Sequence, residues 1–323
     1  MLNKNLFTIN EEEKPTREGF GEGLLSIGKD ERVMALCADL TDSVKMNLFK
    51  KEYPKRFFEM GITEQAMSGV ASGMASMGYV PFIASYAMFS PGRNWEQIRT
   101  TICYNNQPVK IIGAHAGVSV GPDGATHQAI EDIALMRVIP NMNVFVPCDY
   151  IEAREITKTM LDFNHPAYIR LTRENTPVIL DENYKFFLGK AYIIHLPKKE
   201  FNYRVGIISC GPVIYEAMKA ARLLEKEGIG VTVVNMPTVK PLDTSFLLRF
   251  VKNVQSLVTV EEHQVAGGLG SAVAEFLSEH HPMKIVRVGI EDRFGQSGKM
   301  KDLYEEYGLT AKHIVEKVKS VIV

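Results

Sequence analysis

Short apolar runs rich in β-branched residues alternate with longer segments of helical period through most of this chain. "RVMALCADL", "YVPFIASYAMF", "PVKIIGAHA", "NVFVPCD" and "AYIRLTR" are nearly continuous in apolar character, as expected of strands buried on both faces. The segments between them are long enough for crossover helices, so the pattern predicts a parallel sheet covered on both sides. A second series follows, "RVGIISCG", "GVTVVNMP", "SLVTVEEH" and "KIVRVGIED", spaced by helical stretches such as "PVIYEAMKAARLLEKEG". Between the two series, Glu174 to Tyr203 is polar, contains two prolines and keeps no helix period. The expected fold class is α/β, as two consecutive open α/β domains with mainly parallel sheets, residues 1–182 and 183–323, with the linker in 183–203.

With 323 residues, 46% of them hydrophobic, the chain has material for two cores. Its 37 basic and 38 acidic residues nearly cancel, and no like-charge run exceeds Glu11 to Glu13, so neither nucleic acid nor an anionic membrane is an expected partner. The N-terminal "MLNKNLFTINEEEKPTREG" has no apolar stretch suited to a signal peptide or membrane span and is too acidic for a transit peptide, so a cytoplasmic location is expected. Cys37, Cys103, Cys148 and Cys210 are widely spaced, three of them in or beside apolar runs, and read as buried thiols rather than disulfides or metal ligands.

In open α/β sheets ligands gather beyond the carboxyl ends of the strands, which directs attention to the loops after "KIIGAHA" and "FIASY". The first, "HAGVSVGPDGATHQAIED", collects His115, Asp123 and His127 in a segment punctuated by Gly117, Gly121 and Gly124. It leads into "THQAIEDIALMRV", expected to be a helix capped by Thr126, and a strand, glycine-rich loop and helix start can together receive an anion or a sugar's hydroxyls. A lone histidine is usually structural, whereas two with an aspartate on one such loop point to chemistry.

Upstream, Thr63 is expected to cap a helix whose first turn holds Glu64, and by itself that explains Glu64 as compensation of the helix dipole. Gly69, Ala71, Ser72, Gly73, Ala75 and Ser76 leave that helix with little bulk, a surface suited to close packing against another helix, including one of a partner subunit. Tyr86 and Phe89 follow a strand and suit either stacking on a planar ring or core packing, while Arg93 reads as a surface residue. Arg17, Ser43 and Arg173 are suited to a phosphate, though each alone has a simpler surface explanation. "GGLGSAVAEFL" lacks the spacing of a dinucleotide fingerprint, since Val273 holds its third glycine position, and reads as a tight turn into a helix. His263 reads as structural, and the second domain as a unit for assembly.

Taken together, the sequence resembles the transketolase family, as its pyrimidine-binding domain followed by its C-terminal domain. "GITEQAMSGVASGMA" is similar to the segment carrying the family's glutamate, and "HAGVSVGPDGATHQAIEDIALMRVIPNM" to its H…DG-x-THQ…E loop with R-x-IPN downstream. The likeness covers nearly the whole chain, and the DG-x-TH element separates it from the beta subunits of pyruvate-dehydrogenase-type enzymes. The resemblance implies that Glu64 contacts the aminopyrimidine ring of thiamine diphosphate and that Tyr86 and Phe89 stack on it. It further implies that His115 and His127 take part in catalysis and, with Asp123, line a channel for the sugar, while Arg17, Ser43, His115 and Arg173 hold a phosphate. The implied reaction moves a two-carbon ketol unit from a ketose phosphate to an aldose phosphate, as in the pentose phosphate pathway.

No GDG…N motif for the cofactor's diphosphate and its metal is found in the chain. The resemblance therefore implies half of a split enzyme, active only with a separate N-terminal subunit that binds the diphosphate and the expected Mg2+ or Ca2+, which this chain does not ligate. The two would form a heterotetramer in which this chain self-associates as a dimer. Two alternatives stay open: half of a 1-deoxyxylulose-5-phosphate-synthase-like enzyme using pyruvate, and a non-catalytic scaffold that kept the fold.

Overall fold

In the computed structural model, which describes residues 2–197 and 200–322, the two series of apolar runs form two separate sheets. The first half runs β1 (Glu13–Lys14), α1 (Thr16–Ile27), β2 (Val33–Cys37), α2 (Asn47–Glu52), β3 (Phe57–Glu59), α3 (Glu64–Ser76), β4 (Val80–Tyr86), α4 (Trp95–Gln97), β5 (Lys110–Ala114), α5 (Asp132–Arg137), β6 (Asn143–Phe145), α6 (Tyr150–Thr159), β7 (Ala167–Arg170) and β8 (Thr176–Pro177). The second runs β9 (Tyr192–His195), β10 (Arg204–Ser209), α7 (Ile214–Lys226), β11 (Gly230–Asn235), β12 (Thr238–Lys240), α8 (Thr244–Phe250), β13 (Ser256–Gln264), α9 (Leu269–His280), β14 (Ile285–Ile290), α10 (Met300–Glu306) and α11 (Ala311–Lys319).

The larger sheet has the order β12-β6-β7-β5-β4-β2-β3 and the smaller β14-β13-β10-β11-β9, both parallel apart from an antiparallel strand at one edge. The α/β class with mainly parallel sheets is thus the one the apolar runs predict. The division between halves is less clean than the sequence suggests. β12 belongs by sequence to the second half, yet it pairs antiparallel with β6 and closes an edge of the first sheet that would otherwise present unpaired backbone groups. β9 lies inside the segment expected to be a linker; a four-residue edge strand is too short to show a period. Residues 198 and 199 of that linker lie outside the described residues.

A buried polar network ties the halves together. Asp149 caps α6 by accepting from the Glu152 amide at 2.8 Å, and its other oxygen accepts from the amides of Ile179 and Leu180 at 2.8 and 2.7 Å. Burial pushes the Asp149 carboxyl up to about 7, against the pull of those amides. The fully buried Glu152 carboxylate accepts from the Tyr184 and Tyr192 hydroxyls at 2.6 and 2.5 Å and from Asn235 Nδ2 at 3.0 Å, so groups on β9 and β11 and in the segment after β8 share one acceptor on α6. A carboxylate this buried is tolerable because its lone pairs are used.

Helix α1 is set close to α6 by Gly19 and Gly23, where an added Cβ would lie 2.1 Å from the Tyr150 carbonyl and 2.8 Å from the Thr157 side chain. That approach delivers Arg17, one residue into α1, to the edge of the sheet. All four cysteines are buried and unpaired. Among the described residues no helix is long and apolar enough to cross a membrane.

Candidate active site

Strands β2, β4, β5 and β7 are neighbours in the sheet, and their carboxyl ends lie along one edge. Asp39 after β2 and His115 after β5 adopt left-handed backbone angles, φ 58 and 54, a conformation that non-glycine residues seldom hold without tertiary support.

Glu64 opens α3 with its side chain 1% exposed. Its Oε2 accepts from Arg93 Nη1 at 2.7 Å, while Oε1 has a 3.5 Å contact from the Ser85 hydroxyl. The Arg93 guanidinium lies over the Phe89 ring, 4.8 Å from its centroid. Arg93 is thus no ordinary surface residue: its side chain is 44% exposed, yet it joins the buried carboxylate to the aromatic pair. Its place four residues after Phe89 in a turn was the only local signal. Asn94 holds the segment from beneath, donating to the Glu64 carbonyl and to the Ser68 and Ser90 hydroxyls at 3.3, 2.8 and 3.1 Å. Thr63 occupies the N-cap position but its hydroxyl donates to the Met60 carbonyl at 2.6 Å, so the expected side-chain cap is not formed. The small residues of α3 divide between two faces. Ala71, Ser72 and Ala75 are buried inward, whereas Gly69, Gly73 and Ser76 face outward, as do Val70 and, just past the helix end, Met77.

Tyr86 and Phe89 are half-buried, with ring centroids 6.1 Å apart and planes inclined by 19°. His115 stacks on Tyr86 at 3.9 Å, and His127 meets both aromatic rings edge-on at 6.2 and 5.6 Å. The loop between the histidines forms a tight turn at Val118–Asp123, with φ of 83, 80 and 75 at Gly117, Gly121 and Gly124. The expected helix from Thr126 is shorter than its pattern suggested. It begins at Asp132, and Thr126 pairs through its hydroxyl with His127 Nδ1 at 3.0 Å instead of capping. The Gly117 amide donates to the Ala129 carbonyl and Gln128 Nε2 to the Val118 carbonyl, bonds that hold 126–131 as a turn.

Two arginines approach the same sheet edge. Arg17 Nη1 donates to the Ser43 carbonyl at 2.8 Å and lies 3.4 Å from His115 Nε2. Arg173 Nη1 donates to the Val120 carbonyl at 2.8 Å and lies 3.3 Å from Asp123 Oδ1. Among the described residues, Arg17 Nε and His115 Nδ1 are buried with no hydrogen-bond partner. Burial, with the charges of Arg17, Arg173 and His127, pushes His115 down to about 3. Burial and the Arg173 charge also lower Arg17. An anion would relieve both penalties at once. Glu64, Arg93, Phe89, Tyr86, His127, His115, Arg17 and Ser43 therefore form a continuous chain of contacts, and Asp123 and Arg173 pair beside it.

The glycine-rich turn before α9 is not an open anion site. The Glu261 carboxylate already accepts from the Leu269 and Gly270 amides at 2.7 and 2.8 Å, occupying the helix N-terminus where a phosphate would sit. His263 is buried, its Nδ1 donating to the Gln264 carbonyl at 2.7 Å. Among the described residues no group of three or more His, Cys, Asp or Glu side chains is placed to hold a metal ion.

Residues 12–178 match the model of the transketolase pyrimidine-binding domain, and residues 196–314 that of the transketolase C-terminal domain. This chain belongs to the transketolase family. Within it, the chain is similar to a putative transketolase C-terminal section from Methanocaldococcus jannaschii, 41% identical over 94% of this chain and 95% of that protein. It is also similar to the 6-deoxy-6-sulfo-D-fructose transketolase subunit SqwH of a Clostridium strain, 38% identical over 98% of this chain and 97% of that one. A solved structure described as a split gene transketolase, inactive beta4 tetramer, superposes with a TM-score of 0.85 at 42% identity, covering 95% of this chain and 98% of that chain. The likeness is to C-terminal sections of split transketolases along almost their full length, and the family to which the chain belongs depends on thiamine diphosphate.

Proposed function

We propose that this chain is the C-terminal subunit of a thiamine-diphosphate-dependent transketolase, moving a two-carbon ketol unit from a ketose phosphate to an aldose phosphate with a separate N-terminal subunit. One observation carries the reading: a buried carboxylate, an aromatic pair and an arginine–histidine pocket for an anion succeed one another along a single sheet edge.

The residues suit the pyrimidine end of the cofactor. Glu64 is buried with Oε1 contacted only weakly, so that oxygen is left to bond a ring nitrogen, and Phe89 and Tyr86 offer ring faces half-open to solvent. When bound, the cofactor supplies the carbon that carries the two-carbon unit between sugars. This chain orients the sugars. His127 retains Nε2 beyond its bond to Thr126, His115 is held neutral with a free nitrogen, and Asp123 can accept from hydroxyls. Arg17 and Arg173, with His115 and the Ser43 segment, hold the phosphate at the far end and so fix which carbon faces the cofactor.

The diphosphate and its Mg2+ or Ca2+ belong on the partner subunit in this reading, and activity requires both chains. The outward face of α3, with Gly69, Val70, Gly73 and Met77, is open enough for a neighbouring helix to approach closely, since a Cβ on either glycine would meet nothing within 4 Å. It serves as a contact within a heterotetramer that includes a dimer of this chain. A pentose phosphate role in the cytoplasm is the simplest setting, and the sulfo-sugar relative marks the donor and acceptor as open to variation within the family.

The test combines this chain with a diphosphate-binding subunit, thiamine diphosphate and magnesium, and follows transfer from xylulose 5-phosphate to ribose 5-phosphate. Expected are turnover only with both chains and a loss of at least about a hundred-fold in Glu64→Ala. Turnover by the single chain would remove the partner requirement, and pyruvate consumption without ketose-phosphate consumption would transfer the assignment to the deoxyxylulose-phosphate reaction. Activity unchanged in Glu64→Ala would remove Glu64 from the chemistry.

A further inference from the structure

The loop that carries Asp123 and leads to His127 is held by the second half of the chain, and the holding group is Glu262. This residue lies near the end of β13 and is 3% exposed. Its Oε1 accepts from the Ser119 amide at 2.6 Å, and its Oε2 from the Tyr304 hydroxyl on α10 at 3.0 Å. The loop is shaped to admit that carboxylate, because a Cβ on Gly117 would lie 2.3 Å from Oε1. Glu262 is fixed in turn from the first sheet. Arg170 donates through Nη2 to the Glu262 carbonyl at 2.8 Å and through Nε to Asp132 at 2.9 Å, a fully buried ion pair. Beside this contact Gln128 Nε2 donates both to the Val118 carbonyl and to the Gln296 carbonyl, each at 3.0 Å, and an added Cβ on Gly124 would lie 2.6 Å from the Ser297 hydroxyl.

An apolar residue would fill this space at lower cost, since a carboxylate removed from water is tolerable only when its oxygens are bonded. Each oxygen of Glu262 is bonded, one of them to the loop itself. The candidate substrate groups depend on that loop: Asp123 lies within it, and Arg173 is bonded to the carbonyl of Val120, next to Ser119.

We propose that Glu262 is a positioning residue for sugar transfer, its carboxylate setting the 117–124 loop so that Asp123, His127 and Arg173 meet the substrate. The proposal rests on the function argued above, and it assigns the second half of the chain a part in the site beyond assembly.

The test uses the full chain as Glu262→Ala, Glu262→Gln and Tyr304→Phe, with two measurements. Amide exchange is read on the chain alone, and ketol-transfer kinetics on the enzyme reconstituted with its partner subunit. Glu262→Ala should exchange the Ser119 to Gly121 amides at least about ten-fold faster and raise the acceptor KM about ten-fold, with kcat altered less than about three-fold and thiamine diphosphate affinity unchanged. Glu262→Gln, whose amide oxygen can still accept from Ser119, should recover most of both effects, and Tyr304→Phe should move both in the same direction by less. Unchanged loop exchange in Glu262→Ala, or parallel losses in kcat and cofactor affinity, would overturn the proposal. If Glu262→Ala does not fold, Tyr304→Phe decides, and wild-type loop exchange there overturns it. A reconstituted enzyme that transfers no ketol unit would refute the proposed function, while the exchange measurement would still decide the clamp.

Discussion

Arg17 is the side chain whose environment most directly exposes the phosphate reading to refutation. Among the described residues no carboxylate is hydrogen-bonded to it: Nη1 meets a carbonyl and the ring of a neutral histidine, and Nε is buried with no partner. The desolvation of this half-buried guanidinium is therefore partly incurred before an anion arrives, so the gain on binding is offset less by dehydration than it would be on an open surface. A charge-assisted hydrogen bond in such a setting contributes about 1.5–3 kcal/mol, which corresponds to roughly ten- to hundred-fold in kcat/KM. Arg17→Met should lower kcat/KM for ribose 5-phosphate by that factor and leave the value for unphosphorylated ribose nearly unchanged. Arg17→Lys, which keeps the charge but loses the fork, should fall between. Inorganic phosphate as a competitive inhibitor should weaken by the same factor in Arg17→Met, a readout independent of turnover chemistry. Parallel losses for the two acceptors, or an unchanged phosphate inhibition constant, would refute the reasoning and leave Arg17 as a support for the Ser43 segment.

Two further predictions concern stability. His115 is held at about 3 against an ordinary 6.5, so as pH falls between these values the unfolded chain takes up a proton that the folded chain refuses, and stability declines across that window. Urea titrations at a series of pH values should show a shallower decline in His115→Asn, and identical slopes would contradict the placement of His115 beside two guanidinium groups. Glu261→Ala would strand the buried Leu269 and Gly270 amides at about 1–3 kcal/mol each, and should lower Tm by several degrees, with Glu261→Gln retaining part of the loss. An unchanged Tm in the alanine variant would show that other groups satisfy the start of α9.

The apolar runs of both series were legible because a parallel strand buried on both faces must be nearly continuous in apolar residues, and that signature is local. β9 and β12 carried no such signal. A short edge strand is specified by what it pairs with, so the crossing of β12 onto β6 appears only once both sheets exist. The same distinction separates the residues of the site. The loop from His115 to His127 announced itself through glycines and ionisable groups within a few positions, whereas the following helix is shorter than its local pattern because Gln128 and the Gly117 amide hold 126–131 as a turn.

By itself, the sequence determined the α/β class, the two series of strands and the stretches that resemble transketolase, since each depends on residues close together along the chain. Only the tertiary structure decided that Arg93 shares its charge with Glu64, that Arg17 and His115 face each other with unpaired nitrogens, and that Glu262 reaches the loop at Ser119 from the second half. These pairings span 29, 98 and 143 residues. An ionisable side chain carries no local mark of its partner, because its charge acts through the space that folding creates and not along the chain.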